Sequence, residues 1–140
     1  MSKIFWDTNL FLYLVEASGE RSKLVVRLAE RMLERGDQLY TSTLTLGEVL
    51  MKPSEKGDHA LRQAYEDILL RNAVMIPFDE SAARLYAQLR RDSSLRAADV
   101  IQLSCAARAQ VDMFITNDQR LAAKIVPGIH FIVSLKEAFL

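Results

Sequence analysis

Residues 3–16 read Lys3-Ile4-Phe5-Trp6-Asp7-Thr8-Asn9-Leu10-Phe11-Leu12-Tyr13-Leu14-Val15-Glu16. Lys3 to Trp6 has the character of a short strand, and Asp7-Thr8-Asn9 is a polar trio suited to a turn or a helix cap. Leu10 to Glu16 then continues as a short helix. A strand that passes straight into a capped helix is a parallel-sheet signal if the pattern repeats, and it does. Glu20 to Arg35 is helical, with Leu24, Leu28 and Met32 four apart and Gly36 as the stop. Gln38 to Thr41 is a second strand. Ser42 or Thr43 caps a helix carrying Leu46, Val49 and Leu50, which is expected to end before Pro53. His59 to Arg71 is a further helix, Val74 to Phe78 a third strand, and Asp79 opens a helix through Leu85 and Leu89. Arg96 to Gln110 is the most apolar helix. Met113 to Thr116 is a fourth strand, Gln119 to Lys124 a short helix, and His130 to Val133 a fifth strand. The expected architecture is α/β, with helices on both faces of the sheet. In such sheets ligands sit outside the carboxyl ends of the strands.

The chain has 140 residues, half of them apolar and 26% charged, an ordinary balance for one folded domain over residues 1–140. A chain this long buries roughly 70% of the surface its unfolded form exposes, so it needs no disulfide or structural metal. Lysine plus arginine number 18, as do aspartate plus glutamate. A net charge of zero argues against holding nucleic acid by bulk positive charge, though not against an enzyme acting on it. The single cysteine, Cys105, lies in an apolar helical stretch and is expected to be a buried structural thiol. The longest apolar run, Leu10 to Val15, is too short to span a bilayer, and Asp7 and Asn9 interrupt what would be a signal-peptide core. A cytoplasmic protein with no membrane association is expected.

Four acids fall where chemistry is expected. Asp7 follows the first strand and Asp118 follows the fourth by two residues. Glu48 and Asp99 are charges in otherwise apolar helical neighbourhoods. Each has an ordinary explanation alone: Asp7 and Asp118 as helix caps, Glu48 as a solvent-facing residue, Asp99 as a partner for the start of its own helix. Jointly they have no equally placed lysine or arginine among them. Clustered carboxylates repel, and some protonate unless a cation sits between them. A hard ion such as Mg2+ or Mn2+ suits an all-oxygen set. Zinc does not, since there is one cysteine and His59 and His130 lie far apart in sequence. Carboxylate-held metals polarise phosphoryl oxygens and activate water, the requirements of phosphodiester hydrolysis. No glycine-rich phosphate loop and no Ser-His-Asp set stands out.

The order Asp7-Thr8-Asn9 after the first strand, Glu48 in a helix, Asp99 at a helix start and Thr116-Asn117-Asp118 after a later strand resembles the PIN-domain family. Within that family the chain looks like the VapC-type toxin ribonucleases. The resemblance spans essentially the whole chain. It implies a three-layer αβα sandwich with a mainly parallel central sheet of four to five strands. It also implies that Asp7, Glu48, Asp99 and Asp118 hold one or two Mg2+ or Mn2+ ions for attack of water on an RNA phosphodiester. Asn9 and Thr116, then Thr8 and Asn117, match positions that orient acids or water. An RNA substrate, a cognate antitoxin protein and a homodimer follow from the same resemblance. One departure is Leu121, at the position three after Asp118 where some family members carry a further acid.

Other readings are weaker. A non-catalytic PIN-like scaffold that binds RNA or protein is the alternative; loss of an acid would favour it, and all four are present. A haloacid-dehalogenase-type phosphatase needs an aspartate at position 9, which is Asn9. A receiver domain lacks its acidic pair and late lysine. Arg27, Arg31 and Arg35 interleave with Glu20, Glu30 and Glu34 as a solvated, paired helix face. Arg90, Arg91 and Arg96 precede Asp99 and offer positive charge near a scissile phosphate, but Asp92 and solvent are nearer partners for the first two. Asp79 also follows a strand, but fits a helix N-cap.

Overall fold

The computed structural model describes residues 1–138. Five strands alternate with helices: β1 (Lys3–Trp6), α1 (Thr8–Glu16), α2 (Gly19–Arg35), β2 (Gln38–Ser42), α3 (Thr43–Lys56), α4 (His59–Asn72), β3 (Ala73–Ile76), α5 (Glu80–Leu89), α6 (Ala97–Arg108), β4 (Met113–Thr116), α7 (Gln119–Ala122) and β5 (Phe131–Ser134). A 3-10 turn, Leu135–Glu137, follows β5. The sheet order is β3-β2-β1-β4-β5. Every pairing is parallel, so the mainly parallel expectation becomes wholly parallel.

Alternation along β1 divides the core. Ile4 and Trp6 pack with Leu10 and Phe11 of α1, Val25, Leu28 and Met32 of α2, and Leu69 of α4. Phe5 points the other way, into Val100, Leu103 and Ala106 of α6. Its ring stacks on Phe114 of β4, with centroids 4.8 Å apart and an interplanar angle of 8°. Both faces of the sheet are thus covered, as an all-parallel sheet requires. The chain steps from β1 outward to β2 and β3 with its helices on the first face. It then returns past β1 to β4 with α5 and α6 on the second. Right-handed crossovers demand this change of face when the direction of travel reverses. The reversal leaves a crevice at the carboxyl ends of β1 and β4.

Several boundaries differ from expectation, and two of the differences have a clear physical cause. The third helix does not stop before Pro53; it runs to Lys56 and ends at Gly57, whose φ is +65°. Proline costs this helix one backbone donor, but its ring is buried in the core face, and Gly57 supplies the left-handed stop instead. The third strand ends at Ile76 rather than Phe78, because Asp79 already caps α5. Cys105 is fully buried, as expected. Its thiol is pushed up to about 11, chiefly by burial. Among the described residues no helix is long and apolar enough to cross a membrane.

Candidate functional site

Asp7 leaves β1 at the crevice and is pinned to the neighbouring strand, its N–H donating to the Ile115 carbonyl at 3.1 Å. Its side chain caps α1: Oδ1 accepts from the Thr8 N–H at 2.8 Å. Oδ2 accepts from Thr116 Oγ1, also at 2.8 Å. Thr116 is fully buried at the end of β4, and its oxygen also accepts from the Asp118 N–H at 3.0 Å. One hydroxyl therefore ties the loops after β1 and β4 together. The Asp7 carboxyl is held above the usual carboxylate range. Burial is the main cause, the hydrogen bonds from Thr116 and Thr8 oppose it, and the charges of Asp99 and Glu48 add to it.

Glu48 arrives from α3, the helix that β2 feeds. Its Oε1 accepts from Thr8 Oγ1 at 2.6 Å. Asp99 sits in the first turn of α6, where its Oδ2 accepts from the Arg96 N–H at 3.3 Å. Asp118 caps the short α7. All four acids line one open cleft of about 350 Å³, together with Thr8, Asn9, Arg96, Gln102 and Arg120. Asn117 turns aside, its Nδ2 donating to the Tyr13 hydroxyl at 3.1 Å.

Arg120 was not anticipated. Its Nη2 and Nε meet the Asp118 carboxylate at 2.6 and 3.1 Å, and Nη2 also stands 3.5 Å from Asp99 Oδ2. This contact, above all its hydrogen bond, holds Asp118 below the usual carboxylate range. Among the described residues, no three His, Cys, Asp or Glu side chains gather closely enough to form a ready cage for a metal ion. Glu48 is drawn toward Thr8 and Asp118 toward Arg120, so the acids share a cleft without closing on one point. The donor set nevertheless fits a hard divalent cation. It is all oxygen, and the charges of Asp99 and Glu48 add, after burial, to the rise at Asp7.

Sequence reasoning also missed Gln102, which is 3% exposed and lies among Ser42, Thr45 and Thr8. The available signal was an amide within the most apolar helix, since a buried polar group must find partners. Arg120 carried a weaker signal, a cation two residues after Asp118. Asp79 is indeed elsewhere: it caps α5 through the Ala82 N–H at 3.0 Å and pairs with Arg108 at 2.6 Å. Asp92 does not serve Arg90 or Arg91 as expected. It pairs with Lys124 at 2.9 Å, while Arg90 donates to the Leu95 carbonyl at 2.7 Å. The tight 90–96 turn directs both choices.

The family model described as "PIN domain" matches residues 4–125. A search of the curated proteins found no match. Solved structures are similar in fold over nearly the full chain. One is the VapBC2 complex from Rickettsia felis bound to a promoter DNA fragment, with a TM-score of 0.75, 17% identity, and coverage of 94% of this chain and 98% of that one. A toxin–antitoxin complex from Klebsiella pneumoniae matches with a TM-score of 0.64 and 23% identity, over 90% and 94% of the two chains. VapBC-5 from Mycobacterium tuberculosis, a member of the VapBC family of toxin–antitoxin systems, matches with a TM-score of 0.64 and 21% identity, over 96% and 99%.

Proposed function

This chain belongs to the PIN-domain family, and from that premise we propose that it is a divalent-metal-dependent endoribonuclease hydrolysing RNA phosphodiester bonds, the toxin half of a type II toxin–antitoxin pair acting in the cytoplasm. The observation that carries the reading is convergence. Asp7, Glu48, Asp99 and Asp118 come from four separate segments and line one cleft at the topological switch point of the sheet. The likeness to toxin–antitoxin complexes supports a cognate antitoxin. A homodimer is part of the same reading.

Asp7, Glu48, Asp99 and Asp118 would hold Mg2+ or Mn2+. When bound, such an ion polarises a phosphoryl oxygen and acidifies water. The chain's own residues supply the rest. Thr116 and the Thr8 N–H fix both oxygens of Asp7. The Thr8 hydroxyl fixes Glu48. Arg96 and Arg120 put positive charge on the cleft wall, where a phosphodiester would lie. With zero net charge, recognition rests on this local cleft, so weak and non-specific RNA affinity is expected outside it.

One observation favours the second reading, a binding scaffold that does not cleave: the two-point pairing of Arg120 with Asp118 already neutralises one acid. RNA cleavage by the purified chain separates the two. Cleavage is expected with Mn2+ or Mg2+, and is expected to stop with a chelator or in Asp7→Asn and Asp99→Asn. Metal-indifferent or mutation-indifferent cleavage would sink the nuclease reading, and RNA binding with no cleavage would establish the scaffold.

A further inference from the structure

We propose that Gln102 is a positioning residue for the acidic cleft, holding Glu48 toward Asp7 and Asp99 through the hydroxyl of Thr8. The consequence for metal affinity rests on the nuclease reading; the positioning itself does not. Gln102 follows Asp99 by three residues on α6, nearly one turn along the same face. Its Oε1 accepts from the Ser42 hydroxyl. Its Nε2 donates to Thr45 Oγ1 at 2.7 Å and to Thr8 Oγ1 at 3.1 Å. Both amide hydrogens are thereby used.

The orientation of the amide follows from the neighbouring carboxylate. Thr8 Oγ1 stands 2.6 Å from Glu48 Oε1, a separation that needs a proton between them. A hydroxyl has one proton to give. Were the amide turned over, its oxygen would claim that proton and leave two oxygens in unbridged contact. With Nε2 facing Thr8, Gln102 occupies an acceptor position and the Thr8 proton goes to Glu48. Gln102 also grips the helix that carries Glu48. Ser42 caps α3, and Thr45 lies one turn before Glu48 on it. At the far side of this network Thr41 Oγ1 is 2.9 Å from Thr45 Oγ1 and 2.9 Å from the Trp6 carbonyl, at the end of β1. One buried amide therefore ties α6, the start of α1 and α3, the three helices that bear Asp99, Thr8 and Glu48.

Replacing the amide removes the donor that fixes the Thr8 hydroxyl at 3.1 Å and the bonds that hold Ser42 and Thr45 at the start of α3. Thr8 and Glu48 are then no longer held in register. Gln102→Met keeps the length and apolar stem and removes both donors; Gln102→Leu serves if that variant does not fold. Titration calorimetry with Mn2+ on the full chain is expected to show binding about tenfold weaker in Gln102→Met and in Thr8→Val, the scale of losing a residue that orients a ligand. The double variant is expected to be no weaker than either single one, because both cut the same connection. Thr8→Ser, which keeps the hydroxyl, is expected to bind as wild type. A change under about twofold, or losses that multiply, would overturn the proposal, since a purely structural amide would lower thermal stability and leave affinity alone. A crystal structure of Gln102→Met decides the positioning without any metal: Glu48 is expected beyond hydrogen-bond reach of Thr8, and an unmoved Glu48 ends the idea. If wild type takes up no Mn2+ while Glu48 is displaced in the variant, the nuclease reading fails and the positioning role stands.

Discussion

Arg120 holds Asp118 by two nitrogens, at 2.6 and 3.1 Å, and reaches Asp99 with the nearer of them at 3.5 Å. A guanidinium placed between two acids of the cleft repels any cation that approaches them. Arg120→Gln is therefore expected to bind Mn2+ more tightly. The side chain is 45% exposed, so solvent screens much of the effect. A gain of about fivefold in affinity is the expected scale. Calorimetry on the two proteins at low salt is the measurement; equal or weaker binding by Arg120→Gln would show that Arg120 does not compete.

Asp7 is held above the ordinary carboxylate range by burial and by its acidic neighbours. The sign follows from linkage. Below the unfolded value near 3.8 the group is protonated in both states and ionisation costs the fold nothing. As pH rises above that value, the unfolded chain ionises more readily, and the fold carries a penalty that persists at neutral pH. Asp7→Asn removes the penalty and can keep the cap on the Thr8 N–H. The variant is expected to melt at a higher temperature than wild type at pH 7, with the gain fading toward about pH 3.5. Paired calorimetric scans at the two pH values check this. Loss of stability at pH 7 would mean that the Thr116 bond outweighs the charge.

Asp92 is pulled down to about 2 by the Ser94 hydroxyl, then by Lys124. Its contribution to stability is therefore complete above about 3.8 and is lost as pH falls through about 2. Lys124→Met removes one of the two side-chain partners and leaves Ser94. The Asp92 carboxyl titration, followed by carbon NMR, is expected to move part of the way back toward its ordinary value. No movement would place the whole effect in the 92–94 turn.

Cys105 lies fully buried with its thiol pushed up to about 11. At pH 8 only about one thiol in a thousand would be ionised even with free access. Native protein is expected to react with an aromatic disulfide reagent far more slowly than unfolded protein, at a rate set by opening of α6. Reaction within seconds in native buffer would contradict the packing of this helix.

Much of the fold was legible in the chain because its signals are local. The spacing of Leu24, Leu28 and Met32, the caps at Asp7, Ser42 and Asp79, and the stop at Gly36 act within a few residues, and the structure bears them out. The strand–helix rhythm dictates a parallel sheet, and a parallel sheet puts the residues after β1 and β4 on the same carboxyl edge, though only the structure makes those strands neighbours. Asp7 and Asp118 could thus be placed at one edge before any coordinates. Other features depend on encounters between distant segments. Pro53 stays within a helix because its ring meets a buried face, and local propensity cannot see that face. Gln102 meets Ser42, sixty residues away, only after α6 and β2 have packed. Whether Asp118 faces a cation or Arg120 is decided by side-chain reach across α7. Local backbone preferences are written into short stretches and survive any packing, whereas the partner of a charged or hydrogen-bonding group is whatever the assembled chain brings within about 3 Å.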